Sequence, residues 1–178
     1  EVMLEKTKIR FCLQCSTGLR FSDITRITIN NIKNQCIVIK PQKTEHLSKQ
    51  IQIPLNSISN SILKKLNFDT SVLKIANAPY NRNLKTMFKK IQEIYPSLGF
   101  KNDYSSHCGR DTFISILVSF GVNFKTILEW TGQSSYSVMD RYIALTDEFK
   151  KTQMNKSFGE SNITSEPSVI YKSLPPLF

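Results

Sequence analysis

The stretch NRNLKTMFKKIQEIY sets apolar side chains at Leu84, Met87, Phe88, Ile91 and Ile94. Spacings of three and four residues follow the turn of an α-helix, so the segment predicts a helix with one apolar face. Such a face has to be covered by other elements, and most of the remaining chain offers helices to cover it. Residues 1–16 carry apolar positions at the same spacing, and STG then breaks the pattern at Gly18. A short helix is expected at SDITRI, with Ser22 as N-cap and Asp23 in the first turn, where a carboxylate suits the exposed amides. Asn56 reads as the cap of SISNSILKKL. A helix from near Ser106 through TFISILVSF is closed by Gly121, in a place that suits a left-handed cap. Asn123 then begins FKTILEW, which Gly132 ends, and either Ser134 or Ser135 caps YSVMDRYIAL. A last helix is expected near DEFKKTQMNKSF. The runs CIVIK and QIQIPL are short and rich in β-branched residues, and the polar PQKTEHLSK joins them into a hairpin. The expected class is α+β, mainly α-helical, with a small antiparallel hairpin.

At 178 residues the chain has room for one domain with a proper core. We expect that domain over residues 1–158, followed by a C-terminal tail at 159–178. GESNITSEPS is polar and rich in breakers and reads as a flexible linker. Beyond it, VIYKSLPPLF is either a disordered terminus or a segment that docks on a partner. No run of roughly 18 apolar residues offers a membrane span, and the expected location is the cytoplasm. The opening has no Met and reads as the middle of an amphipathic helix, so a further N-terminal part is expected outside this chain.

Twenty-four Lys and Arg against fourteen Asp and Glu give a formal charge of +10. Spread along the chain, that charge suits a nucleic-acid partner, and equally a basic protein with no such partner. Cys12 and Cys15 form a C-x-x-C, but no second pair with metal-ligand spacing follows. Core cysteines of a reduced compartment are the better reading, and no metal site is expected.

Several residues carry possible chemistry. In TGLRFSDI, Arg20 follows a glycine turn and precedes a helix start, a place where its fork of N–H donors suits a phosphate. Lys43 stands in the basic hairpin turn. His107 and Arg110, three apart in SSHCGRDTFIS, would share one side of a helix. Each alone is equally an ordinary surface residue. Trp130 in ILEWTG reads as core.

Taken in order, Arg20, Lys43, the H-x-x-R of His107 and Arg110, TGQSS, and Tyr142 nine residues after Gln133 resemble the tyrosine recombinase family, also called the phage integrase family. The resemblance covers roughly residues 1–158. The KT after a short strand and the closing IPL look like integrases of bacterial mobile elements, particularly those of Bacteroides-type transposons and prophages.

The resemblance implies a catalytic domain that cuts and rejoins double-stranded DNA. Tyr142 would attack a phosphodiester to give a 3′-phosphotyrosyl link and release a 5′-hydroxyl. No metal, ATP or other cofactor is needed, because the covalent intermediate conserves the bond energy. His107 would assist removal of the tyrosine proton, and Arg20 and Arg110 would stabilise charge building on the phosphate oxygens. Lys43 would protonate the departing 5′ oxygen, with Lys40 and Lys49 flanking the same turn as fallbacks and DNA contacts. His46 would touch the DNA backbone or simply face solvent, and Asp23 would support the Arg-bearing turn. Family members carry an added N-terminal DNA-binding domain and act as tetramers on two DNA sites, with the segment after the nucleophile reaching a neighbouring protomer. The isolated domain could be a monomer.

Two positions depart from the family pattern. Gln133 stands where most members have His or Trp; its amide can donate to a phosphate oxygen but carries no charge. Asp111 stands where many have a second His, beside Arg110, where a carboxylate would orient the guanidinium or compete with phosphate for it. These departures keep a non-cleaving DNA-binding protein of the same fold in view, and a type IB topoisomerase-like enzyme shares the Tyr and Arg chemistry. Tyr136 and Tyr171 are rival nucleophiles that lack the spacing.

Overall fold

Helix α1 (Val2–Thr17) is the element on which the others are assembled: α3 (Ser57–Lys65), α4 (Asn77–Ile94) and α5 (Ser106–Ser119) all pack against it. The computed structural model describes residues 2–43, 50–100, 104–143, 154–155 and 157–158. A helix packed on several sides has little solvent face left for its polar groups, and beyond its exposed first turns α1 buries Thr7, Arg10, Gln14 and Thr17 alongside Leu13. Gln14 shows how this is tolerated. Its Nε2 donates to the carbonyls of Leu19 and Ser106, both at 3.3 Å, and its Oε1 accepts from the Tyr80 hydroxyl at 2.7 Å. A buried amide with its bonds made in this way joins α1 to α4, to α5 and to the turn after α1.

That turn is made by Gly18, at φ +67°, whose N–H donates to the Gln14 carbonyl. The left-handed conformation costs a residue with a Cβ about 1–2 kcal/mol. Space forbids one as well, since a Cβ at Gly18 would lie 2.3 Å from the Phe113 ring. The next helix, α2 (Phe21–Ile24), departs from expectation: its N-cap is Arg20, not Ser22. The Arg20 carbonyl already accepts from the N–H groups of Asp23 and Ile24, which puts Ser22 inside the helix.

The apolar face of α4 forms as its spacing predicts over Leu84, Met87 and Phe88, joined by Tyr80. It runs out towards the end, where Ile91 is half-buried and Ile94 is exposed. Phe88 meets Phe11 of α1 edge-on at 5.3 Å and stacks on Tyr104 at 4.1 Å. The helix begins at Asn77, earlier than the periodic stretch, with Pro79 in the first turn, where its missing N–H leaves no intrahelical bond unmade.

A second cluster lies under the sheet. Strands β2 (Cys36–Ile39) and β3 (Ile51–Pro54) form the expected antiparallel pair, with Ile37 opposite Ile53 and Ile39 opposite Ile51. All four isoleucines are buried with Leu13, Leu19, Ile24 and Ile27, while Gln52 and Pro54 face out. This is the period-two alternation of a half-buried sheet. An unexpected β1 (Ile32–Lys33) extends the sheet on the far side of β2. The two residues between them, Asn34 and Gln35, both have positive φ (49° and 57°), as a two-residue type I′ turn requires. Asn-Gln lacks the glycine that usually announces such a turn, which is why local rules do not find it.

The expected caps recur. Asn56 accepts from Ser59 N–H at 2.9 Å, and Asn123 opens α6 (Phe124–Thr131) by accepting from Lys125 N–H at 2.8 Å. Ser135, of the two serines, accepts from Ser137 N–H and caps a 3₁₀ turn over Tyr136–Met139 that leads into α7 (Asp140–Ile143). Trp130 is half-buried against the sheet cluster. The four cysteines form no disulfide and are half-buried; burial pushes the Cys12 thiol up and that of Cys15 up to about 12. Among the described residues no group of three or more His, Cys, Asp and Glu could hold a metal ion, and no helix is long and apolar enough to cross a membrane.

The chain divides into two compact units, Glu1–Ala144 and Leu145–Phe178. In the second, Met154, Asn155, Ser157 and Phe158 are helical and exposed. The rest of the expected last helix, the linker, the tail at 159–178 and the boundary before it lie outside the described residues. Replacing Gly18 by Ala is expected to lower the unfolding free energy by roughly 2–4 kcal/mol, from left-handed strain plus overpacking on Phe113. Urea titration measures this; a loss below about 0.5 kcal/mol would mean that the Phe113 ring yields without cost.

Candidate active site

Arg110 lies in the second turn of α5 and is buried, at 6% exposure. Its Nη1 donates to the Gly18 carbonyl at 2.7 Å and its Nη2 to the Thr131 carbonyl at 2.6 Å. Both acceptors lie at helix ends, after α1 and at the end of α6, where carbonyls lack intrahelical donors and the helix dipole is negative. A planar fork is suited to bridging them. Burial first, and then the charge of Arg20, push the Arg110 guanidinium below its ordinary value, to about 10, against the opposing effects of Asp23, Tyr142 and Asp111.

Arg20 converges on the same backbone. Its Nη2 donates to the Gly132 carbonyl at 3.3 Å, one residue after the carbonyl that Arg110 takes. Gly132 caps α6 at φ +60°, and a Cβ there would stand 3.2 Å from Pro41 and 3.3 Å from Ile51, so the hairpin closes directly over this turn. Arg20 Nη1 is buried and makes no hydrogen bond, although it lies 3.9 Å from Asp23 Oδ2. Asp23 is 1% exposed. Its carboxylate does not serve the first-turn amides of α2 as expected; Oδ1 accepts from Gln42 N–H at 2.8 Å. One buried acid thus links the Arg20 turn to the residue before Lys43.

Tyr142, on α7, is half-buried, and its hydroxyl donates to Asp111 Oδ1. Asp111 follows Arg110 on α5, so nucleophile candidate, carboxylate and guanidinium are neighbours. Gln133 is half-buried, with its Oε1 3.1 Å from the Thr131 hydroxyl and its N–H bonded to the Leu128 carbonyl. His107 and Arg110 share a helix but not an environment: His107 is exposed, its backbone N–H capped by Ser105 Oγ. Lys43 and Lys40 are exposed, and Lys40 joins Arg26, Asn31 and Gln50 in lining an open cleft of about 260 Å³ beside the sheet. His46, Lys49 and Tyr171 lie outside the described residues. Tyr136 is 57% exposed, on the 3₁₀ turn.

Sequence reasoning missed the Tyr142–Asp111 bond, having set Asp111 against Arg110, and missed the three carbonyls that hold the arginines. The adjacency of Asp111 to Arg110 was the available signal. Nothing in the sequence separation of 31 residues pairs Asp111 with Tyr142.

Two guanidiniums thus converge on one helix end of a mainly helical domain, with the Tyr142 hydroxyl close enough to act on Arg110. The chain belongs to the phage integrase family, the tyrosine recombinases, whose sequence pattern it matches over residues 4–148. No curated protein matches it by sequence. Among solved structures, the Tn1549 transposon integrase in complex with transposon right end DNA is similar with a TM-score of 0.70 and 18% identity, over 85% of this chain and 59% of that one. The same integrase with circular intermediate DNA gives a TM-score of 0.69 at 16% identity, with the same coverage. XerA recombinase gives a TM-score of 0.62 at 16% identity, over 89% of this chain and 62% of that one. These are likenesses of fold, and the chain spans about three fifths of the length of each solved chain.

Arg110→Lys tests the fork. A single ammonium cannot bridge both carbonyls, so loss of one charge-assisted bond is expected to cost roughly 1.5–3 kcal/mol in urea unfolding. Unchanged stability would mean that the two carbonyls do not depend on the fork.

Proposed function

We propose that this chain is the catalytic domain of a site-specific DNA recombinase or integrase that cuts and rejoins strands through a 3′-phosphotyrosyl intermediate. The observation that carries the reading is the convergence of Arg20 and Arg110 on the consecutive carbonyls of Gly132 and Thr131, beside Tyr142. Arg110, buried on neutral carbonyls, would gain from an incoming phosphodiester, and gain more as charge builds on the phosphate oxygens.

In this reading Tyr142 attacks phosphorus, the 5′ oxygen leaves with a proton from Lys43, and His107 is the group to which the family pattern assigns the tyrosine proton. Asp23 positions Arg20, and through Gln42 it positions the start of the hairpin turn that carries Lys43. Lys40, His46 and Lys49 contribute to DNA contact. Double-stranded DNA is the partner, the formal charge of +10 favours it, and the bacterial cytoplasm is the setting. The likeness to a transposon integrase supports a mobile-element source. The domain spans residues 1–158, residues 159–178 form a tail that reaches a neighbouring protomer, and a full-length protein with an N-terminal DNA-binding domain acts as a tetramer on two DNA sites.

A nicked suicide duplex should trap a covalent adduct with the parent chain and none with Tyr142→Phe, and Arg20→Ala should lower the rate about 10²–10³-fold. Absence of any adduct favours a non-cleaving binder of the same fold, and relaxation without strand exchange favours a topoisomerase. Gln133→His adds a group that can carry charge and should speed phosphotyrosyl formation; a rate at or below the parent's would show that the amide is no handicap.

A further inference from the structure

Tyr142 gives its hydroxyl hydrogen to Asp111 and not to His107. Asp111 Oδ1 is the acceptor, on the helix residue next to Arg110, whereas the His107 side chain is exposed one turn earlier. The charged and titratable groups that act on the neighbouring Arg110 come from several elements: Asp111 from α5 itself, Arg20 and Asp23 from the turn and helix α2, and Tyr142 from α7. Of these, only Asp111 is both a base and bonded to the phenol.

We propose that Asp111 is the immediate proton acceptor for Tyr142 in strand cleavage, in the place the family pattern gives to His107; this rests on the recombinase reading above. As the phenolic oxygen bonds to phosphorus, its O–H pair becomes the new O–P bond and the proton passes to Oδ1. The bond from phosphorus to the 5′ oxygen breaks, and that oxygen takes its proton from Lys43. Asp111 later returns its proton to solvent. A free carboxylic acid and a free phenol differ by roughly six pKa units, so complete transfer before attack would yield phenolate about once in 10⁶. Transfer therefore accompanies bond formation, when the phenol's acidity rises, and the adjacent Arg110 guanidinium favours the developing negative charge. His107 is left to bind a phosphate oxygen.

The test uses the whole chain and a duplex library with randomised flanks and a bridging 5′-phosphorothiolate at one fixed step. A thiolate leaves without a proton donor, so Lys43 drops out and the rate reports loss of the tyrosine proton. On the sequences that the parent cleaves best, Asp111→Asn should react about 10²-fold more slowly at neutral pH. Its rate should climb about tenfold per pH unit towards the phenol's range near 10, as hydroxide replaces the missing base, while the parent's profile is flatter. Asp111→His, which restores an acceptor, should recover most of the loss and carries the test if the Asn variant does not fold by circular dichroism. An Asn variant as fast as the parent, or a loss equal at every pH and not restored by His, overturns the proposal. Failure of the parent to form any Tyr142-dependent adduct overturns the recombinase reading instead, and the proposal with it.

Discussion

The bridge from Arg110 to the carbonyls of Gly18 and Thr131 is the constraint on which the rest of the site depends. A guanidinium 6% exposed must find acceptors for its donors or lose several hydrogen bonds' worth of free energy. It finds them at the ends of two helices, and in doing so fixes where the Arg20 turn and the Gly132 cap stand relative to each other. Arg20 then reaches Gly132, Gly132 lies under Pro41 and Ile51, and Asp23 holds Gln42. The hairpin that carries Lys43 is thereby tied to the same framework through the Asp23 carboxylate and the Pro41 and Ile51 side chains.

Carbonyl oxygens satisfy the geometry of a guanidinium but do not cancel its charge. Asp23 and Asp111 are the carboxylates nearby; each has one oxygen engaged, by Gln42 N–H and by the Tyr142 hydroxyl, and Asp23 Oδ2 also lies 3.9 Å from Arg20 Nη1. Arg110 is thus held by neutral carbonyls, and Arg20 by a carbonyl and a long ion-pair contact. In the proposed recombinase reading, the carbonyl hold on Arg110 suits transition-state stabilisation better than a tight ion pair would, because a salt-bridged arginine must be released before it can act.

Much of the fold could be read from the chain. The i, i+3, i+4 face of α4, the caps at Asn56, Asn123 and Ser135, and the Ile37/Ile39 and Ile51/Ile53 alternation are local properties, and local rules find them. β1 escaped because its turn uses Asn-Gln at positive φ, where the rule looks for glycine. The cap expected at Ser22 falls two positions earlier, at Arg20, since serine is a good cap wherever it falls and only the Arg20 carbonyl shows where α2 starts. For the site, order and spacing picked out Arg20, Arg110 and Tyr142, which lie within one another's electrostatic reach. They could not separate buried Arg110 from exposed His107, which depends on how far α5 is rolled against α1. Nor could they find Gln14 as a hub, because a buried amide is justified only by partners elsewhere in the chain.

The bonds that build the site span long stretches of chain: 92 residues from Arg110 to Gly18, and 112 from Arg20 to Gly132. Closing loops of that length costs entropy that no local helix or turn repays, so such contacts are made only when the whole domain condenses. A partly folded or truncated chain can hold several good helices and still not bring Arg20 and Arg110 together. The meeting of the two arginines is then tied to completion of the fold, which in the proposed recombinase reading keeps an incomplete chain from breaking DNA.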